Sequence, residues 1–265
     1  MCSLKIHNTA IVDKNAQLAD DVEVGPYCFI GPNVKIASGT KIGCHAVLDG
    51  HTGIGKNCQI FTGACLGSIP QDLKFKDEMT YLEIGENNIF REYITVNVGT
   101  HAGSKTIIGN NNLFMAYSHV AHDCVVGNDC IIANCGTLAG HVRIEDGAVI
   151  GGLVAIHQFV RVGKLSIIGG CSKVVQDIPP FSTCDGHPAR VYGVNLIGLK
   201  RNGFEREDLL KLKEAFKILF FSKMSFSHAI EKISAQMRAG KGVSYLIDFV
   251  KESKRGVCRS TNQSV

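Results

Sequence analysis

Every sixth residue from Ile6 is aliphatic: Val12, Leu18, Val24, Ile30, Ile36, Ile42, Leu48, Ile54, Ile60 and Leu66. The register returns at Ile84, Phe90 and Val96. It returns again from Ile108 through Phe114, Val120, Val126, Ile132, Leu138, Ile144, Ile150, Ile156, Val162 and Ile168 to Val174. Only Asp72, Glu78 and Ala102 on this register are neither aliphatic nor aromatic. An α-helix repeats every 3.6 residues and cannot keep one residue in six on a single face. A coil of short strands and turns can. Three hexads close a triangular coil, and coils stack by strand pairing at about 4.8 Å, with the aliphatics filling the prism.

Glycine follows many of the aliphatics, as at Gly25, Gly31, Gly43, Gly55, Gly109, Gly127 and Gly151. That placement fits a tight turn with positive φ. Four residues after the aliphatic the side chain is small. Cys28, Cys58, Cys124 and Cys130 fall in that slot, which gives these thiols a packing role. Two segments interrupt the register without shifting it, near 68–81 and 99–106, and the first contains Gln71-Asp72-Leu73-Lys74. Insertions into a repeat gather on one face and often build its binding surface.

The coil is expected to end near Asp177–Pro180, where two prolines block further pairing. After an irregular stretch, helical periodicity runs over Arg206–Ser222, Ser225–Ala239 and Val243–Glu252, and the end from Arg255 to Val265 reads as frayed. The expected architecture is mainly β. A parallel β-helix catalytic domain spans 1–190, with insertion loops near 68–81 and 99–106, and a small α-helical domain spans 191–265.

Composition narrows the class. The 265 residues are 45% hydrophobic and 20% charged, and no apolar run reaches membrane-spanning length. Residues 1–10 lack the basic-then-apolar order of a secretory leader. The 11 cysteines are odd in number and lack CxxC spacing, which fits a reducing compartment and a cytoplasmic protein. Charge is uneven. Up to Leu199 there are 14 Lys and Arg against 17 Asp and Glu; from Lys200 onward there are 14 against 7. The tail is therefore a basic module that suits an acidic partner, and no nucleic acid is expected. Phe114-Met115, Val125, Ile131 and Val149-Ile150 leave apolar side chains outside the core register. Closed three-fold symmetry would bury such faces and place clefts between subunits, so a homotrimer is expected.

His119, His122, His141 and His157 cluster in the later coils. One coil beyond His122 is Gly140, beside His141; two coils beyond is Gln158, beside His157. These residues should rise along one edge of the prism. Two chemistries fit. Three histidines can hold zinc, as in the γ-class carbonic anhydrases that resemble this fold. Alternatively an imidazole can take a proton from a hydroxyl near neutral pH, with Asp123 fixing its tautomer and the Gly140 N–H meeting an oxyanion.

At these residues the sequence resembles the UDP-N-acetylglucosamine acyltransferase family of lipid A synthesis. The motifs are QDLK at Gln71–Lys74, HxxHDC at His119–Cys124, LAGHV at Leu138–Val142, HQF at His157–Phe159 and GVNxxGLKR at Gly193–Arg201, and the match covers nearly the whole chain. The resemblance implies a left-handed coil. It implies transfer of a 3-hydroxyacyl group from acyl carrier protein to the 3-hydroxyl of UDP-N-acetylglucosamine. It assigns His122 as general base, Asp123 as its supporting carboxylate and Gly140 as oxyanion donor. Gln71, Asp72, Lys74, His119, His141, His157 and Gln158 match positions around the sugar, phosphates and acyl chain. Asn195 and Arg201 match nucleotide contacts, and Gly170 the position that limits acyl length. The basic helices match the carrier-protein dock. No cofactor or metal is implied, since the donor carries its acyl group on phosphopantetheine. Asn202, Ile197 and Asn97 depart from the pattern of many relatives. The related N-acyltransferases place an extra domain before the repeat, and coenzyme A-dependent hexapeptide acetyltransferases usually lack both the QDLK insertion and the helical tail.

Overall fold

The structure, a computed structural model, describes residues 5–236 and 240–260. Two-residue strands alternate with four-residue turns, and the strands stack into three parallel sheets. We call these face A (starting at Lys5–Ile6), face B (Ile11–Val12) and face C (Gln17–Leu18). Each strand pairs with the one a full coil away: Lys41 with Gln59, His119 with Thr137, Arg143 with Arg161. The result is a left-handed parallel β-helix.

The six-residue register is the core. From Val24 to Val174 its aliphatic and aromatic members are all buried, none more than 6% exposed. Each removes a side chain worth about 1.5–3 kcal/mol of transfer free energy from water. Ile6 is 40% exposed because the first coil has no neighbour beneath it among the described residues. The small slot is buried too. The Sγ atoms of Cys28, Cys124 and Cys130 donate to carbonyls of Gly43, Ala139 and Glu145 one coil away, at 2.9, 3.1 and 3.3 Å. Burial pushes the Cys124 and Cys130 thiols up to about 12, so they are inert fillers. Asn88 and Asn112 take the same slot and link coils, Asn88 Oδ1 accepting from the Asn112 N–H and Asn112 Oδ1 from the Cys130 N–H.

The glycines after the aliphatics have a different cause from the one expected. Gly25, Gly55 and Gly109 are absent from the positive-φ residues, which fall two positions further on, as at Tyr27, Asn57, Asn111 and Asp123. What excludes a side chain is the next coil. A Cβ on Gly55 would lie 2.4 Å from the Gly85 carbonyl oxygen, and one on Gly109 would lie 2.6 Å from that of Gly127.

The coil also runs further than expected. Ile178 still bridges Val162, and Ile167 pairs with Thr183 on face A. The stretch read as irregular is a hairpin of Ser182–Gly186 against Ala189–Val194, which caps the prism. Four helices follow: α1 (Leu196–Arg201), α2 (Arg206–Phe220), α3 (Phe226–Gln236) and α4 (Lys241–Glu252). The short α1 was not expected; residues 237–239 of the expected third segment lie outside the described residues. The end read as frayed is docked as far as 260. Val257 bridges Asp177, Ser260 bridges Val191, and the Ser260 hydroxyl donates to the Phe220 carbonyl at 2.6 Å. Residues 261–265 lie outside the described residues. No described helix is long and apolar enough to cross a membrane.

Phe114 and Ile150, expected outside the core, are fully inside it. The outward apolar row on face A is instead Ile89, Leu113, Ile131, Val149 and Ile167, consecutive partners up the stack. Below it the same column carries Lys5, Glu23, Lys41 and Gln59, with Glu23 placed 3.6 Å from both lysines.

Candidate active site

Both insertions replace turns at the same edge, where the chain passes from face B to face C. The first joins Cys65–Ser68 to Tyr81–Ile84 and the second joins Thr95–Asn97 to Lys105–Ile108. The next three turns on that edge carry His122, His141 and His157. The six-residue register produces this alignment: insertions that do not shift it keep every later coil in step.

Asp123 has φ +58°, the turn conformation, and its amide N–H donates to Thr106 Oγ1 at 2.9 Å. Its carboxylate Oδ2 lies 2.8 Å from His122 Nδ1 and accepts from the Thr100 hydroxyl at 2.6 Å. Burial alone would push Asp123 up. The Thr100, His122 and Ser104 hydrogen bonds outweigh it and hold the carboxyl below its ordinary value. The carboxylate is therefore charged at neutral pH and accepts the Nδ1 proton. That tautomer leaves the Nε2 lone pair of His122 free.

Nε2 faces Gly140. A Cβ built on Gly140 would sit 2.5 Å from His122 Nε2 and 2.4 Å from Cε1, so only glycine leaves room for the ring. The Gly140 carbonyl accepts from the Phe159 N–H at 3.1 Å, while its own N–H has no acceptor among the described residues. His141 completes the cluster. Its ring stands perpendicular to that of His122, with centroids 5.1 Å apart, and stacks on Phe159 at 4.6 Å. Burial lowers the His141 pKa, and the nearby His122 and His101 add to that against the opposing Asp123 and Asp72.

His122, Asp123 and His141 each offer a ligand atom within 4.8 Å of the others, the one described cluster that could hold a metal. Tetrahedral zinc with bonds of about 2.0–2.1 Å sets its ligands about 3.3 Å apart. The 2.8 Å Nδ1–Oδ2 separation is that of a hydrogen bond, and the same oxygen already accepts from Thr100. The arrangement fits proton transfer better than metal ligation.

Other expected residues are placed variously. The His119 ring lies on face B, with Nδ1 2.7 Å from Thr95 Oγ1, and burial lowers its pKa. His157 and Gln158 are exposed on the edge; the His157 Nδ1 lies 3.2 Å from the Gln158 carbonyl oxygen, and Phe159, not His157, continues the ring stack. In the first insertion Asp72 Oδ1 accepts from the Lys74 N–H at 2.9 Å and leaves the Gln71 and Lys74 side chains exposed. Asn195 and Arg201 lie elsewhere. Asn195 caps α1 by accepting from the Gly198 N–H, and its Nδ2 donates to the Leu165 carbonyl, on the edge between faces C and A. Gly170 sits on the third edge, between Ile168 and Lys173. One protomer thus spreads the expected site over all three edges. Thr100 and Phe159 had not been singled out; Thr100 lies inside an insertion, where no periodicity marks it.

Residues 177–258 match the family described as Udp N-acetylglucosamine O-acyltransferase, domain 2. Residues 3–38 and 105–140 match the bacterial transferase hexapeptide (six repeats) family. The acyl-[acyl-carrier-protein]–UDP-N-acetylglucosamine O-acyltransferase of Thermodesulfovibrio yellowstonii is 48% identical over 96% of this chain and 99% of that one. The protein of the same name from Syntrophobacter fumaroxidans is 45% identical over 97% and 100%. Among solved structures, the UDP-N-acetylglucosamine acyltransferase of Bacteroides fragilis superposes with a TM-score of 0.93 at 41% identity, covering 96% of this chain and all of that one. LpxA of Acinetobacter baumannii gives 0.91 at 42% identity, covering 96% and 99%.

Proposed function

The chain belongs to the acyl-[acyl-carrier-protein]–UDP-N-acetylglucosamine O-acyltransferase family, and on that premise we propose how its own residues carry the reaction. It is an acyltransferase that moves an acyl chain from acyl carrier protein to UDP-N-acetylglucosamine, the first step of lipid A biosynthesis. The acyl group is a 3-hydroxyacyl chain, and the acceptor is the sugar 3-hydroxyl.

The sugar hydroxyl donates to His122 Nε2. As its oxygen attacks the thioester carbonyl, the proton moves to Nε2 and Asp123 stabilises the imidazolium through Nδ1. The tetrahedral oxyanion accepts from the Gly140 N–H, which has no competing acceptor. The C–S bond then breaks, and Nε2 returns the proton to the departing thiolate. Every atom comes from the two substrates, so the chemistry calls for no cofactor or metal. The carrying observation is the His122–Asp123 hydrogen bond, which leaves Nε2 facing a free backbone donor.

Lys74 is an exposed cation on the histidine edge and suits the diphosphate, with Gln71, Asp72, His119, His141, His157 and Gln158 around the sugar and acyl chain. Asn195, Arg201 and Gly170 are on other edges, so they reach this centre only from a neighbouring subunit. A homotrimer provides that, with the aliphatic row of face A buried between subunits. Arg201 then meets the nucleotide. Both polar ends of the Asn195 side chain are already used within its own chain, which favours Arg201 as the direct contact. Gly170 leaves the far end of the acyl groove open. The basic helices receive the acidic carrier protein, and the reaction runs in the cytoplasm.

The test is chromatographic detection of acylated UDP-N-acetylglucosamine from purified protein, acyl carrier protein thioester and UDP-N-acetylglucosamine. The reading expects product from wild type. Product at a similar rate from His122→Ala would remove His122 from the mechanism.

A further inference from the structure

A groove of about 920 Å³ runs up face C from the active site to the C-terminal segment. Asp123 and His141 line one end and Lys254 and Arg255 the other. Its acids are already satisfied. Glu145 meets Arg161 at 3.2 Å, accepts from the Tyr245 hydroxyl at 2.8 Å and accepts from the Lys164 N–H at 2.9 Å. Glu252 lies 3.5 Å from Arg161. Asp177 accepts from the Arg161 N–H and from the Ser253 hydroxyl, at 2.8 and 2.7 Å. Two of its cations are engaged as well: Arg161 by these acids and by the Phe249 ring, and Arg255 by the Val175 carbonyl. Arg143 and Lys254 are left. Both are exposed, and neither has an ion-pair or hydrogen-bond partner among the described residues. The open charge of the groove is therefore positive at two points.

The two points differ in depth. Arg143 lies one coil from Val125, just after the catalytic turn. Lys254 follows Ser253, whose hydroxyl is tied to Asp177, at the level of the bridge between Val162 and Ile178. That is three strand spacings from Val125, about 14 Å. A thioester's pantetheine arm carries two amides and ends in a phosphate thirteen bonds from the sulfur. Extended, it spans about 15 Å at roughly 3.4 Å per three bonds. An arm with its thioester at His122 would pass Arg143 and deliver its phosphate near Lys254. The charged lining suits an amide-bearing arm and not an acyl tail, and the groove ends on the basic C-terminal segment.

We propose that this groove is the track of the donor's phosphopantetheine arm, with Lys254 receiving the phosphate and Arg143 donating to the arm's amide carbonyls. The proposal rests on the acyl-transfer reading above.

The test uses two small donors that bypass carrier docking, an acyl phosphopantetheine and the matching acyl pantetheine without phosphate, at fixed UDP-N-acetylglucosamine. Wild type should prefer the phosphorylated donor in kcat/KM. Lys254→Ala should lower that preference about tenfold, chiefly through the KM of the phosphorylated donor, and Lys254→Arg should restore most of it. Arg143→Ala should raise the KM of both donors alike. An unchanged preference in Lys254→Ala would overturn the proposal. So would a Lys254→Ala defect confined to the KM of UDP-N-acetylglucosamine, because the groove would then hold the acceptor's diphosphate. Absence of product from wild type with every donor, including the carrier thioester, would instead refute the acyl-transfer reading itself.

Discussion

The Nε2 atom of His122 lies against Gly140 so closely that a Cβ there would come within 2.5 Å of it. The base and the oxyanion donor are therefore set by one contact between adjacent coils. Gly140→Ala must displace either the imidazole or the backbone. A 1 Å misplacement costs about 100-fold in rate. We expect kcat to fall by about that factor while the thermal midpoint and circular dichroism stay near wild type. Wild-type turnover in Gly140→Ala would show that the contact does not position the base.

Asp123 acts through His122. Asp123→Asn removes the acceptor that fixes the Nδ1 proton, so it should lower kcat about 10- to 100-fold and leave the KM of UDP-N-acetylglucosamine little changed. Thr100→Val, which removes one of the hydrogen bonds to Asp123, should produce a smaller loss of the same kind. A change confined to KM in both variants would place Asp123 in binding and not in proton transfer.

The buried titratable groups predict two windows in stability against pH. His119 and His141 have folded pKa values below the ordinary histidine value of about 6.5. Just below that pH the unfolded chain binds more protons than the folded one, so stability falls as pH drops from about 7 to 5. Asp123 is also depressed, so its contribution is present above about pH 4 and is lost as pH falls through its lower folded value. Scanning calorimetry should show a midpoint that declines between pH 7 and 5, with His119→Gln shallower than wild type. A flat midpoint over that range would contradict the assignment.

The aliphatic row on face A predicts assembly. Sedimentation equilibrium should return three times the 28.6 kDa chain mass. Ile131→Glu places a charge in the middle of the row and should release monomers with the coil intact. It should also abolish activity, since Arg201 and Gly170 reach the His122 edge only from a neighbour. A fully active monomer would refute the shared site.

Much of this was legible in the sequence, because one side chain in six must fill the prism and nothing else satisfies that period. The register from Val24 to Val174 is the buried core, and the same arithmetic put His122, Gly140 and His141 on one edge. What the period could not carry was whatever breaks it. The glycines were read as turn residues, yet coil-to-coil crowding selects them, and that becomes visible only when Gly55 is seen against the Gly85 carbonyl. The 182–194 hairpin has no six-residue or helical period, so it read as irregular. Thr100 contacts Asp123 from within an insertion. The groove from Arg143 to Lys254 joins residues over a hundred positions apart.

The central claim is that His122 is the base for acyl transfer to the sugar of UDP-N-acetylglucosamine. Its most direct test is single-turnover acylation with the acyl carrier protein thioester, followed by mass spectrometry of the nucleotide product for wild type and His122→Ala. The account predicts acylated UDP-N-acetylglucosamine from wild type and a rate at least about 100-fold lower from the variant, with its assembly state unchanged. A variant rate near wild type, or no acylated nucleotide from wild type, would contradict it.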